Sequence, residues 1–212
     1  MNFDFNEFEK AEAKEFGDFE RLELGGHEVV IVDAREHKGQ TGKISLKVSV
    51  DIAKGDKQEG FFKKQYEDAK KSAKEGEEVK WSTGGTKYIS LANEQMSYFK
   101  GFITALENSN KGFKFDTKGT WEQLKNLHIA AQFGLEEYDA GGETKVATKL
   151  NRFRSLDKLK EIEIPDVKVL TGVDTYDYVP YEEYKNRKSN NNNNNKTQES
   201  DLVELSDEDL PF

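Results

Sequence analysis

The sequence predicts a mainly β fold with one long core helix, and three stretches carry this prediction. The first, HEVVIVDA, is a continuous β-branched run, as expected of a strand that is covered on both faces. The second, KISLKVSVDI, alternates apolar and polar residues strictly, which is typical of a strand with one face in the core. The third, NEQMSYFKGFITALENSN, repeats apolar residues at helical spacing.

The first two of these stretches are expected to pair as an antiparallel hairpin across the turn KGQTG. In the second strand the apolar residues from Ile44 to Ile52 point one way, and Ser45, Lys47, Ser49 and Asp51 point the other. GFFKK is predicted to be a short third strand. A charged excursion follows, and TKYISL is then another short strand.

The helix is expected to begin with Ser90 or Asn93 as its N-cap and to end at residues 110–112. Beyond it, HIAAQFGLEEY and KVATKLNRFR form a second alternating pair across the loop DAGGE. With one short strand counted between the first hairpin and the helix, the order is three strands, a helix and two strands. This is the layout of a five-stranded OB-like antiparallel barrel with a helix between strands 3 and 4. The apolar stripe of the helix comprises Met96, Phe99, Ile103 and Leu106.

Charge and composition divide the 212-residue chain into four parts. Residues 1–20 form an acidic arm dotted with phenylalanine, residues 21–170 the folded domain, residues 171–205 a flexible linker and residues 206–212 an acidic tip. The linker is expected to be disordered from its six asparagines onward, because it has too little apolar surface to offset chain entropy. The net charge of −9 belongs to the two ends, so it does not exclude a nucleic-acid partner.

Several classes of protein are excluded by what the sequence lacks. Without cysteine there is no disulfide, thiolate metal site or cysteine nucleophile. An acidic start and the lack of a run of roughly 20 apolar residues predict a cytosolic protein with no signal peptide and no membrane span. Adjacent acidic pairs do not converge on one face, so we expect no enzyme, metal or cofactor. No second histidine at ligand spacing accompanies His27, His37 or His128.

Three stretches, GFFKKQY, KWSTGGTKY and KVATKLNRFR, interleave basic and aromatic residues. Rings stack on unpaired bases at about 1–3 kcal/mol per base, and Lys and Arg neutralise phosphates, so this combination favours single-stranded nucleic acid. Alternation predicts that Lys149 and Phe153 share an outer face. The stacking candidates are Phe61, Phe62, Trp81, Tyr88 and Phe153. The phosphate candidates are Lys63, Lys64, Lys80, Lys87, Lys149, Arg152 and Arg154.

Each of the three stretches also has a purely structural interpretation. Alternation sends either Phe61 or Phe62 into the core, and Trp81 suits the interior of a barrel. Lysines line solvated faces in most proteins. The occurrence of three such stretches on one predicted barrel favours binding over packing alone.

The end of the chain, SDEDLPF, resembles the C-terminal tip of bacterial single-stranded DNA-binding proteins, in which an acidic stretch closes with Pro-Phe. The resemblance implies that the tip recruits proteins of replication, repair and recombination. The Phe212 ring would enter a small apolar pocket, and the acids would steer the tip toward basic partner surfaces. The residues of this tip are Asp207, Glu208, Asp209, Leu210, Pro211 and Phe212.

The core stretches VVIVDAREHKGQTGKISLKVSV, KYISL, YFKGFITALENSN and NRFRSL are similar to phage-encoded proteins that act as single-stranded DNA-binding proteins. This resemblance spans about residues 20–170 and implies a protein that coats and protects single-stranded DNA, without sequence preference, in phage replication and recombination. Its location would be the cytoplasm of an infected bacterium, as a monomer or a homo-oligomer. The alternatives are a recombination mediator or annealing protein, an adaptor that mimics the tip without binding DNA, and a nuclease.

Overall fold

The structure, a computed structural model, describes residues 20–173 and 175–194. The described chain is mainly β with helices, as predicted. Short 3₁₀ helices at Asn93–Gln95, Trp121–Leu124 and Leu156–Glu161 connect the longer elements. Those longer elements are β1 (Gly25–Lys38), β2 (Ile44–Ile52), α1 (Phe61–Ser72), β3 (Thr86–Ser90), α2 (Met96–Ser109), β4 (His128–Asp139), β5 (Thr144–Arg154), β6 (Val167–Gly172), β7 (Thr175–Val179) and α3 (Tyr181–Asn194).

The strands form one curled sheet in the order β3-β2-β1-β4-β6-β7, with β5 paired to β4. Strand β4 has three partners: β1 along its first half, β5 along its length, and β6 at the Glu136–Lys168 position. The β4–β6 pairing is parallel and the other pairings are antiparallel. The described residues thus hold seven strands of mixed direction, where the sequence predicted five antiparallel strands.

The core lies on one face of this sheet, where the buried side chains of β1, β2 and β4 meet those of α2. In β2 the apolar residues that alternation predicts to face the core are buried from Leu46 to Ile52. Ile44, at the start of the strand, is 48% exposed. Helix α2 lies between β3 and β4 in the chain, as predicted, and buries Phe102, Ile103 and Leu106 against the sheet. Of the predicted apolar stripe, Met96 is exposed, and no side chain in the described part of the chain caps the start of α2.

The stretch GFFKK is helical rather than the predicted third strand. Helix α1 begins at Phe61, and its N-cap position is Gly60, which has no side chain to cap it. The Asp51 carboxylate of β2 takes that role by accepting hydrogen bonds from the backbone N–H groups of Phe62 (3.0 Å) and Lys63 (3.3 Å). Because helical geometry replaces alternation, Phe61 and Phe62 both pack into the core.

Residues predicted to begin the linker belong to the fold. Strands β6 and β7 form a hairpin that crosses the predicted boundary at residue 170, and α3 continues to Asn194, within the predicted disordered run. A second small core holds Val167, Val179 and Tyr184, and the Tyr184 hydroxyl donates to Glu137 at 2.7 Å. No helix within the described ranges is long and apolar enough to cross a membrane. Residues 1–19 and 195–212, and with them the predicted tip, lie outside those ranges.

Candidate nucleic-acid interface

The outer face of β1, β2 and β3 carries a row of basic and aromatic side chains. Lys47 of β2 pairs with Arg35 of β1 on one side and with Tyr88 of β3 on the other. Because the alternation that buries Leu46 and Val48 turns Lys47 outward, the row lies opposite the core. Tyr88 is 49% exposed.

A second ring adjoins Tyr88 on this face. The His37 and Tyr88 ring centroids lie 5.0 Å apart at an interplanar angle of 59°. Between them runs β2, where Ser45 pairs with His37 in β1 and with Ser90 in β3. Because Ser45 is small, the two rings can meet above it. Two adjoining exposed rings form a surface on which a planar group can stack.

The charge of this face is predominantly positive. Burial lowers the pKa of Lys47, and the neighbouring cations Arg35 and Lys80 lower it further, while Asp33 acts in the opposite direction. Asp33 forms an ion pair with Arg35 at 3.4 Å. No carboxylate in the described chain forms an ion pair with Lys47. The residues Arg35, His37, Lys47, Lys80 and Tyr88 are called the β1–β3 face below.

Trp81 lies at the edge of this sheet, next in the chain to Lys80. Its Nε1 donates a hydrogen bond to the Val50 carbonyl at 3.1 Å, and its ring lies 5.4 Å from that of Tyr66 in α1. The Lys70 Nζ sits 4.6 Å from the centre of the Tyr66 ring. Trp81 packs against the core while remaining partly exposed, so it is a fixed ring at the border of the β1–β3 face.

Lys149 and Phe153 do not share the outer face that alternation predicted. Strand β5 contains one extra residue, Asn151, opposite the step between Gln132 and Phe133 of β4. This β-bulge reverses the alternation, because the side-chain period of a strand is two. Phe153 therefore turns toward α2, where its ring centroid lies 5.0 Å from that of Phe102. It is core packing, not a stacking surface.

The bulge leaves Arg152 and Arg154 together on the opposite side of β5. Burial lowers the pKa of Arg152, and the charge of Arg154 lowers it further. Neither guanidinium has an ion-pair partner within residues 20–173 and 175–187. Lys149 is already engaged, since its Nζ donates to Thr83 Oγ1 at 2.7 Å. The two arginines are the cations of β5 that are free for an anion.

The other predicted residues divide into three groups. Lys87 pairs with the core residue Val48, so it lies on the opposite face of β3 from Tyr88, and burial lowers its pKa. Lys63 and Lys64 lie on the exposed side of α1 near Glu67 and Glu20. The third group consists of stacking candidates whose rings are buried or packed in the core, namely Phe61, Phe62 and Phe153.

Of the predicted residues within the described ranges, Lys80 and Tyr88 thus lie on the β1–β3 face, with Trp81 at its border. Sequence reasoning missed Arg35, His37 and Lys47 as site residues. The alternation of β2 already turned Lys47 outward, so a signal for it existed. No protein-family model matches the chain, and a comparison with curated proteins gives no match. The geometry of the β1–β3 face is therefore the basis for assigning a function.

Proposed function

We propose that the protein binds single-stranded DNA on the β1–β3 face. The observation that carries this proposal is the row of Arg35, Lys47 and Tyr88 across three strands, in which Lys47 has no carboxylate partner in the described chain. Proteins that bind single strands without sequence preference combine a positive groove for the phosphates with aromatic rings for the bases. This face has both the cations and a ring, on residues that pair directly with one another across β1, β2 and β3.

We further propose that the curled sheet is an OB-type barrel with additions. Strand β1 lies between β2–β3 on one side and β4–β5 on the other, which supports that topology. The Leu150 N–H of β5 donates to the Gly84 carbonyl at 3.1 Å, so β5 approaches the segment that leads into β3. In OB folds the surface of strands 2 and 3 binds oligonucleotides, and it corresponds to the β1–β3 face. Strands β6 and β7 and helix α3 would be additions to the barrel.

Exposed rings favour a single strand over a duplex. In a duplex the base faces are stacked on one another, whereas an unpaired strand can lay its bases on Tyr88 and His37. The adjacent cations Arg35, Lys47 and Lys80 would neutralise the phosphates of the same strand. Such contacts read no base edge, so they suit a protein that coats DNA of any sequence.

The proposed role in the cell rests on the resemblance of residues 20–170 to phage-encoded single-stranded DNA-binding proteins and on that of the stretch SDEDLPF to the tip of the bacterial proteins. We propose that the protein protects single-stranded DNA during phage replication and recombination and recruits partner enzymes through Asp207–Phe212. Removing Leu210–Phe212 should leave DNA affinity intact or slightly raised and should abolish binding of those partners. A truncation that destroyed DNA binding would contradict this division of roles.

The direct test is a titration of fluorescent oligo-dT with the full chain across a salt series. We expect binding that weakens steeply with salt, because phosphate neutralisation releases counterions. The absence of binding even at low salt would refute the proposal and favour the adaptor. Rapid pairing of complementary oligonucleotides by the protein would favour the annealing alternative, because a coating protein holds strands apart.

A further inference from the structure

A cleft of about 340 Å³ opens at the end of the β1–β3 face. One wall is the start of β2, with Lys43 and Ile44, and the other is the segment 90–95 that connects β3 to α2. Its volume falls within the range of about 300–1,000 Å³ that is typical of small-ligand sites. The cleft is therefore large enough for one nucleobase.

The cleft continues the surface on which a strand would lie. Ser90 lines the cleft and follows Tyr88 by two residues in β3, so both project from the same face about 7 Å apart. Ser45, the pairing partner of Ser90, also pairs with His37. A strand that stacks on the His37–Tyr88 ring pair would reach the cleft with its next bases.

The lining of the cleft combines an apolar surface with unused amides. Ile44 is 48% exposed, and the Leu91 N–H donates to the Ile44 carbonyl at 3.2 Å, which fixes the two walls together. The side-chain amides of Asn93 and Gln95 form no hydrogen bond within the described chain, and neither caps α2. Each amide offers both a donor and an acceptor, as a base edge requires.

The charges of the cleft favour a base over a phosphate. Glu94 lies in the lining and would repel a phosphate that entered. Lys43, at the β2 wall, has no ion-pair partner among the described residues and can hold the phosphate that flanks an inserted base. A neutral ring with polar edges therefore matches the interior, and an anion matches only its Lys43 side.

We propose that this cleft binds one unpaired nucleobase of the strand held on the β1–β3 face, through the amides of Asn93 and Gln95. This inference rests on the proposed function. It adds a base-dependent contact at one position to a surface that otherwise binds rings and phosphates without regard to sequence.

The test compares two oligomers of equal length, oligo-dT and an abasic strand that keeps every phosphate but has no bases. The double variant Asn93→Ala/Gln95→Ala should bind oligo-dT about fivefold to tenfold more weakly than the unaltered protein, because two hydrogen bonds to the base edge are lost. Its affinity for the abasic strand should change by less than about twofold, because no base edge is there to lose. Affinities come from fluorescence anisotropy of the full chain.

The matched control is Gln65→Ala. Gln65 is an exposed amide on α1, which packs at the opposite end of β2, near Asp51. It should leave both affinities unchanged. Thermal unfolding of each variant establishes that the fold is retained. If the double variant fails to fold, the single variant Gln95→Ala replaces it, with an expected loss of about twofold to threefold on oligo-dT and none on the abasic strand.

Equal losses on both oligomers would overturn the inference, since they would assign the cleft to the DNA backbone. An unchanged affinity for oligo-dT would overturn it as well. If the unaltered protein binds neither oligomer, it is the proposed function that fails. If the unaltered protein binds oligo-dT and the variants have no effect, base binding in the cleft is refuted and the proposed function stands.

Discussion

Replacing Lys47 with alanine is the most direct perturbation of the β1–β3 face. Lys47 forms no ion pair in the described chain, and Asp33 keeps its partner Arg35 at 3.4 Å, so the substitution leaves no carboxylate unpaired. Burial and two nearby cations already disfavour the charged form of Lys47. The variant should therefore fold with at least the stability of the unaltered protein.

The loss in DNA affinity can be worked out from one phosphate contact. For single strands the slope of log affinity against log salt concentration is about −0.7 per neutralised phosphate. Lys47→Ala should reduce the steepness of that slope by about 0.7. For each tenfold change in salt concentration, the affinity of the variant should then change by a factor roughly fivefold smaller than that of the unaltered protein. Tyr88→Ala should instead weaken binding by about 1–3 kcal/mol with the slope unchanged, because a stacking ring releases no counterion.

The measurement is anisotropy of labelled oligo-dT at a series of salt concentrations and pH values. Lys54→Ala is the control, because Lys54 is an exposed lysine just beyond the far end of β2. The lowered pKa of Lys47 adds a pH signature: as pH rises, the free protein loses this proton below the ordinary lysine value of about 10.4. The DNA affinity of the unaltered protein should therefore begin to fall at a lower pH than that of Lys47→Arg, because arginine keeps its charge.

Equal salt slopes for Lys47→Ala and Lys54→Ala would refute the assignment of the β1–β3 face. So would a Tyr88→Ala variant that folds and binds oligo-dT as the unaltered protein does. In either case the row of Arg35, Lys47 and Tyr88 would be an ordinary solvated surface.

Three further predictions concern stability. Asp51→Ala should lower the free energy of unfolding by about 2 kcal/mol in urea titrations, because the N-terminus of α1 loses its hydrogen-bond acceptor. Tyr184→Phe should cost about 1–3 kcal/mol by the same measurement, since the buried Glu137 carboxylate loses a donor at 2.7 Å, with DNA affinity unchanged. Phe153→Ala should cost about 2–4 kcal/mol, because its ring packs on Phe102, and should leave the salt slope of DNA binding unaltered. A Phe153 variant that kept full stability but lost DNA affinity would restore its predicted stacking role.

The failures of sequence reasoning have identifiable physical causes. In GFFKK two aromatic residues and two lysines suit a short strand as well as a helix. The Asp51 carboxylate, which lies in a different element, accepts the first N–H groups of α1 and fixes the helical outcome. In β5 a single extra residue, Asn151, reversed the predicted direction of Phe153. No local pattern in KVATKLNRFR reports that residue as unpaired.

Within the predicted linker 171–205, the described residues up to Asn194 form strands and a helix, for a related reason. The strand β7 and the start of α3 are rich in tyrosine and charge, so they have little periodic apolar signal of their own. They are ordered by contacts with distant elements, among them the Tyr184–Glu137 hydrogen bond and the packing of Val179 with Val167. Such contacts form only when the fold places β4 and β6 side by side, so no local sequence pattern indicates them.

The sequence by itself determined the mainly β class, the helix between β3 and β4, and the outward direction of Lys47 in β2, because periodicity is a local property of the backbone. The tertiary structure alone decided that Arg35 and Tyr88 flank Lys47, that His37 meets Tyr88, and that the cleft beside Asn93 continues their surface. Strand register depends on hydrogen bonds and packing between segments far apart in the chain, and a one-residue shift moves every side chain to the other face.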